Sequence, residues 1–287
     1  MPPMRLRPSG WARHSSGWGD VPLTLATTSP GEPEIFASIQ GEGPSAGRAT
    51  AFVRLSRCNL ACVWCDTAYT WRFSDRFSGG DGFDRAANQI SLPEDDVAAR
   101  IAALGRSRLV ITGGEPLLQA PALARMLALL DVLPRAGGGL RQDSTEGDAR
   151  DPRLRGDALF VEIETNGTVI PPPALAELVH QFNVSPKLAH SGNPAELALR
   201  PDALGWFAAD PRAWFKFVIA GPGDLAEVLA LAQAYAIPAA RIFLMPEGRD
   251  SATLRTRGKW LAELCAENGL NFSDRLHIHL FGDTRAT

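Results

Sequence analysis

Strand-like and helix-like segments alternate along most of this 287-residue chain, and that alternation predicts an α/β fold built on parallel strands. Two further observations sharpen the expectation. The chemically unusual residues fall where successive strands end, which is where function gathers in parallel α/β sheets. The strand–helix pairs number roughly six, too few for the closed eight-unit barrel, so an open, partial barrel is expected.

The elements follow in order. Residues 1 to 33 are rich in Pro, Gly, Ser, Thr and Arg and read as a flexible extension ahead of a domain spanning 34–287. Residues 50–56 form a short apolar strand that ends just before Cys58. Residues 74–88, rich in Gly, Asp and Arg, follow the cysteine loop and read equally as a lid or as a plain loop. Ser91 and Glu94 have the spacing of a capping box for an amphipathic helix running through Leu104. A strand at 108–112 leads to a helix at 121–133, with Leu123, Met126, Leu127 and Leu130 on one face. Residues 136–157, which include Gly137-Gly138-Gly139, read as a surface insertion. Then come a strand at 159–163, a helix at 173–181 and a strand at 182–185. A strand at 214–219, a helix at 224–235, a strand at 241–245 and a helix at 253–268 follow. Residues 276–281 are expected as the last strand, which would put His277 and His279 on one face.

Composition narrows the function. The net charge of −3 gives no basic excess for a nucleic-acid partner. No apolar run approaches the ~20 residues that span a bilayer, and the N-terminus lacks the apolar core of a secretory signal. Four cysteines, three of them clustered, point away from a disulfide framework and towards a reducing compartment, so a cytoplasmic enzyme is expected.

The clustered cysteines are Cys58, Cys62 and Cys65. Three thiolates can hold three irons of a [4Fe–4S] cluster and leave the fourth without a protein ligand. An open metal position is what catalysis requires. A zinc-stabilised binding module is the competing reading from another class. Zinc sites generally bring a second cysteine pair, and Cys265 stands alone in a helical pattern. A brown anaerobic protein would separate the first reading from a colourless second one. After the second strand, the glycines of Gly113-Gly114-Glu115-Pro116 allow close approach of a ligand, although an ordinary strand-to-helix turn uses the same residues. Arg54 is either an inward guanidinium able to grip a carboxylate or a salt-bridged edge arginine.

The run Cys58-Asn59-Leu60-Ala61-Cys62-Val63-Trp64-Cys65-Asp66-Thr67 resembles the signature of the radical S-adenosylmethionine (SAM) enzymes. Glu34-Ile35-Phe36-Ala37-Ser38-Ile39-Gln40-Gly41-Glu42-Gly43, Thr112-Gly113-Gly114-Glu115-Pro116, Glu164-Thr165-Asn166-Gly167 and Ser185-Pro186-Lys187 resemble, in the same order, motifs of the 7-carboxy-7-deazaguanine synthase family. The resemblance runs from about residue 34 to the C-terminus, and the specificity lies in five motifs occurring in order.

That resemblance implies a (β/α)6-like radical SAM core with a [4Fe–4S] cluster on Cys58, Cys62 and Cys65, and Mg²⁺ on Thr67. It assigns SAM to Trp64, Asp66, Gly114, Glu115, Asn166, Ser185, Pro186 and Lys187. It assigns a small pterin substrate to Ile39, Gln40, Gly41, Glu42, Arg54, Thr112, His279 and Thr287, with the tail folded back over the pocket. The implied reaction converts 6-carboxy-5,6,7,8-tetrahydropterin to 7-carboxy-7-deazaguanine in queuosine and 7-deazapurine synthesis. SAM and the cluster generate the radical, so no side chain is assigned as the catalytic group. A reductant such as flavodoxin or ferredoxin, and a homodimer, are further implications. A glycyl-radical activating enzyme shares the cysteine spacing and the Gly-Gly-Glu-Pro loop, but the Gln-Gly-Glu-Gly segment and Arg54 favour a small carboxylated substrate.

Overall fold

The computed structural model describes residues 21–75, 82–132 and 159–287. The expected insertion at 136–157 lies outside them, as does the first part of the expected extension. The strands are β1 (Leu23–Ser29), β2 (Glu32–Pro33), β3 (Ile35–Ile39), β4 (Ala49–Leu55), β5 (Gln89–Leu92), β6 (Arg108–Gly113), β7 (Phe160–Thr165), β8 (Gln181–Val184), β9 (Ala213–Ile219), β10 (Ile242–Pro246) and β11 (Asn271–Phe272). The helices are α1 (Arg85–Asn88), α2 (Glu94–Ala103), α3 (Ala120–Val132), α4 (Pro173–Ala176), α5 (Ala195–Ala198), α6 (Pro201–Ala209), α7 (Asp224–Ala234), α8 (Ser251–Asn268) and α9 (Leu276–Phe281).

The strands lie in the order β11-β10-β9-β8-β7-β6-β4-β1-β2. From β4 to β11 neighbouring strands are parallel. β1 and β3 pair antiparallel with β4, and β5 antiparallel with β1. The two ends of the sheet, β11 and β2, do not pair, so the barrel stays open. One face of the parallel strands packs on the helices through Val53, Leu109, Ile111, Ile163, Phe215 and Phe217, all buried together with Leu123 and Met126 of α3. The alternate residues point the other way. Those on β4, β6, β7, β8 and β9 include Arg54, Thr112, Glu162, Glu164, Asn183 and Lys216, a polar interior that helix-side burial alone would not call for.

Several expectations need correction. Residues 23–29 are not a flexible extension: they form β1, which pairs with β4 and β5 and buries Leu23 and Leu25 fully, and β2 lies in the same stretch. Ser91 caps nothing, because it belongs to β5, opposite Thr24. Helix α2 begins after Pro93, and three acidic residues in its first turn suit the positive end of the helix. Glu94 is taken by Arg125, whose Nε donates to it at 3.0 Å. Residues 276–281 are helix α9, not a strand. The period-2 pattern of that segment is overridden by tertiary ties: Leu276 N–H donates to the Gly41 carbonyl at 3.0 Å, and only Ile278 is buried. α6 also went unforeseen, although Pro201 at its first turn is a start signal.

Candidate active site

A cavity of about 390 Å³ opens at the carboxyl ends of the parallel strands. The parallel strands line it: Arg54 from β4, Thr112 and Gly113 from β6, Glu164 and Thr165 from β7, Asn183 from β8, Lys216 and Val218 from β9, Met245 and Pro246 from β10. Cys58, Cys62 and Cys65 line the same space from the loop after β4.

The cysteine loop is held close under the end of β6. Gly114 N–H donates to the Leu55 carbonyl (3.1 Å) and Glu115 N–H to the Arg57 carbonyl (2.8 Å). A Cβ on Gly114 would lie 2.1 Å from the Arg57 carbonyl oxygen, and one on Gly113, at φ +133°, would lie 2.0 Å from the Leu55 carbonyl oxygen. The two glycines are therefore required for backbone packing, while Gly114 also faces the cavity. Arg57, just before Cys58, adopts a left-handed φ of 76°, a strained conformation typical of functional loops.

The thiols suit an iron–sulfur cluster. Leu60 N–H lies 3.5 Å from Cys58 Sγ, Trp71 Nε1 donates to Cys65 Sγ at 3.3 Å, and Asn193 Nδ2 to Cys62 Sγ at 3.2 Å. Hydrogen bonds to the sulfurs favour thiolate and tune such clusters. Burial pushes the Cys58 thiol up to about 12 and raises Cys62 as well, so binding of iron would release protons. Among the described residues no three His, Cys, Asp or Glu side chains gather round a single-ion site. A cluster, whose ligands sit on separate irons, does not need that convergence. Trp64 stacks on His190 at 5.6 Å, and its buried Nε1 has no partner among the described residues. The donors to the three sulfurs thus fit a [4Fe–4S] cluster.

Of the residues assigned to SAM, Trp64, Asp66, Gly114, Asn166, Ser185 and Lys187 line the cavity. Lys187 Nζ donates to Ser185 Oγ at 2.8 Å and lies 5.6 Å from the Trp64 ring centre. Glu115 and Pro186 do not line it. The Glu115 carboxylate is fully buried and spent internally. Oε1 accepts from Leu117 N–H (3.0 Å) and Thr165 Oγ1 (2.9 Å), and Oε2 accepts from Asn166 N–H (2.7 Å). Burial pushes this carboxyl up, against the pull of those donors.

Of the residues assigned to substrate, Ile39, Gln40, Gly41, Glu42, Arg54, Thr112 and Thr287 line the cavity, as does Thr67. His279 does not, because residues 276–281 are helical. It turns to Asp274, with Nε2 3.1 Å from Oδ1, and His277 reaches the cavity instead. Gln40 Nε2 donates to Glu162 Oε1 (2.9 Å) and Glu164 Oε1 (3.0 Å), and Thr112 Oγ1 donates to Glu164 Oε2 (2.7 Å). Arg54 carries the foreseen salt bridge, but on an interior strand and not at a sheet edge. Its Nε donates to the fully buried Glu34 at 2.7 Å, yet it lines the cavity and its Nη atoms make no hydrogen bond among the described residues. Tyr69 Oη donates to the other Glu34 oxygen at 2.8 Å. Tail residues Asp283, Thr284 and Arg285 also line the cavity, and the Arg285 guanidinium sits 3.6 Å over the Tyr69 ring.

The sequence reading missed Lys216, Arg275 and His277, which surround Glu42. Lys216 Nζ and Arg275 Nε both donate to its carboxylate, the latter at 3.0 Å, and His277 Nε2 lies 3.9 Å away. Burial alone would raise the Glu42 carboxyl. Lys216, Arg275 and His277 overcome that and hold it well below the usual carboxylate range. Lys216 did leave a signal, as the lone charge in the apolar strand Ala213–Ile219.

The radical SAM superfamily model matches residues 53–189. A 7-carboxy-7-deazaguanine synthase of Pyrobaculum aerophilum is 33% identical over 252 residues, covering 88% of this chain and 95% of that protein. A protein of the same name from Hyperthermus butylicus is 35% identical over 250 residues, covering 85% of this chain and 90% of the relative. The crystal structure of QueE from Escherichia coli superposes with a TM-score of 0.54 at 24% identity, covering 88% of this chain and 95% of that one. At that identity the superposition supports the shared fold.

Proposed function

Because this chain belongs to the 7-carboxy-7-deazaguanine synthase family of radical SAM proteins, we propose that it converts 6-carboxy-5,6,7,8-tetrahydropterin to 7-carboxy-7-deazaguanine, with loss of ammonia, in 7-deazapurine and queuosine synthesis. One observation carries the reading at residue level. The three cysteines, a guanidinium with its Nη atoms unspent, and a fixed amide–carboxylate–hydroxyl group share one cavity.

When bound, a [4Fe–4S] cluster and SAM would supply the radical chemistry for hydrogen exchange at the substrate's C6. The chain's own residues do the rest by placement. Cys58, Cys62 and Cys65 hold the cluster, and Trp64, Asn166, Ser185 and Lys187 flank SAM. The Arg54 Nη atoms take the substrate carboxylate, with Glu34 fixing Nε. Glu164, Gln40 and Thr112 are locked to one another and present acceptors and donors to the amino-pyrimidinone edge of the pterin. Thr67, which lines the cavity, would offer its hydroxyl to Mg²⁺, whose charge would offset that of the substrate carboxylate. The tail keeps bulk water from the reacting atoms. A flavodoxin- or ferredoxin-like reductant and a homodimeric state belong to the same proposal.

The test is anaerobic reconstitution with iron and sulfide, then dithionite, SAM, Mg²⁺ and the carboxypterin, with products followed by mass spectrometry. 7-Carboxy-7-deazaguanine is expected. Formation of 5′-deoxyadenosine without that product would retain the radical chemistry and reject the substrate.

A further inference from the structure

Arg275 precedes α9 and is buried despite its charge. Its guanidinium reaches three separate segments. Nε donates to Glu42 Oε1 at 3.0 Å, Nη1 to the Gly248 carbonyl at 2.5 Å, and Nη2 to Asp66 Oδ2. Glu42 belongs to the turn that brings Gln40 and Gly41 to the cavity, and Asp66 directly follows Cys65. Among the described residues no other hydrogen bond joins the 40–43 turn to the 58–67 loop. A planar fork with donors on three sides suits such a junction, and a single ammonium does not.

The fold does not depend on this fork alone. Without Arg275, the Glu42 carboxylate keeps its ion pair with Lys216. Asp66 is 36% exposed and can be hydrated. What would be lost is the fixed spacing between the two loops. Displacement by about 1 Å in a reacting pair can cost about 100-fold in rate.

We propose that Arg275 is a positioning residue that fixes the substrate turn against the cysteine loop, so that its loss uncouples SAM cleavage from product formation. The inference rests on the function proposed above. In each uncoupled event one electron from the reductant breaks the bond between the SAM sulfur and its 5′ carbon. The adenosyl fragment then takes a hydrogen atom from a dithiol such as dithiothreitol, included in the assay for this purpose, leaving a thiyl radical, and methionine and 5′-deoxyadenosine depart.

The test compares the wild type with Arg275→Gln and Arg275→Lys, all reconstituted to equal iron content. Two quantities are read: 5′-deoxyadenosine released per 7-carboxy-7-deazaguanine formed, and hydrogen–deuterium exchange of residues 40–43 and 62–67. For Arg275→Gln the release ratio should rise about tenfold or more, from product loss of the size that such misplacement causes, and both segments should exchange faster. Arg275→Lys should fall between, and it serves if the Gln variant does not fold. Parallel loss of both products at unchanged ratio, or unchanged exchange in the two segments, would overturn the proposal. If the wild type cleaves SAM but makes no deazaguanine, the function is rejected, and the exchange data alone still decide whether Arg275 ties the loops.

Discussion

Replacing Glu115 by Gln keeps the side chain's volume and removes one acceptor oxygen. The carboxylate satisfies three buried donors, two at Oε1 and one at Oε2. If the new NH₂ occupies the Oε2 position it faces Asn166 N–H. If it occupies Oε1 it faces Leu117 N–H, while the Thr165 hydroxyl can turn. Either way at least one backbone N–H is orphaned, at a cost of about 1–3 kcal/mol. The remaining bonds fall from charge-assisted to neutral strength, a loss of roughly 0.5–1 kcal/mol each. Against this, the neutral amide relieves the burial penalty that pushes the carboxyl up. The orphaned donor outweighs that relief, and the net loss is about 2 kcal/mol. Urea unfolding of the cluster-free protein, followed by circular dichroism, measures it. A variant as stable as the wild type to within about 0.5 kcal/mol, yet impaired in SAM binding, would refute the reasoning and return Glu115 to the ligand site.

Other expectations follow from the same geometry. Burial holds the His277 imidazole below 6.5, against Glu42, so on acidification the unfolded chain takes up that proton first and stability falls from about pH 6.5 downward. In His277→Gln the loss of urea midpoint between neutral pH and about pH 5.5 should be smaller, and an equal loss in both proteins would contradict the assignment. Cys265 is buried in α8 and does not line the cavity, so Cys265→Ala should leave iron content unchanged and lower stability by about 1 kcal/mol. Cys58→Ala, by contrast, should abolish the brown chromophore. Arg54→Gln should raise KM for the carboxypterin by about tenfold or more while leaving iron content intact, and an unchanged KM would remove Arg54 from substrate binding.

The parallel core was legible because each strand is a short apolar run followed by a helix signal, and β4, β6, β7, β8, β9 and β10 fall within a residue or two of the expected positions. The cysteine loop was legible because thiols at that spacing have few alternative uses. Three things were not. β1 sits inside a stretch whose composition reads as a tail, and only its pairing with β4 and β5 shows Leu23 and Leu25 to be core. The alternation Leu276-His277-Ile278-His279-Leu280 favours a strand locally, but the ties of Arg275 and Leu276 to the 41–42 turn decide for helix, which exchanges His279 for His277 at the cavity. Glu115 lies within a motif that points to ligand binding, and only the three donors facing its carboxylate reveal an internal brace. In each case deciding contacts, such as those of Glu115 with Thr165 and Asn166, span a sequence distance that local pattern cannot see.

The most direct test of the central claim is anaerobic turnover of carboxypterin deuterated at C6 by the reconstituted protein, with deazaguanine, SAM and 5′-deoxyadenosine quantified together. 7-Carboxy-7-deazaguanine is expected in excess of SAM consumed, because the hydrogen taken from C6 is returned. A protein with a verified intact cluster that forms no deazaguanine from this substrate would contradict it.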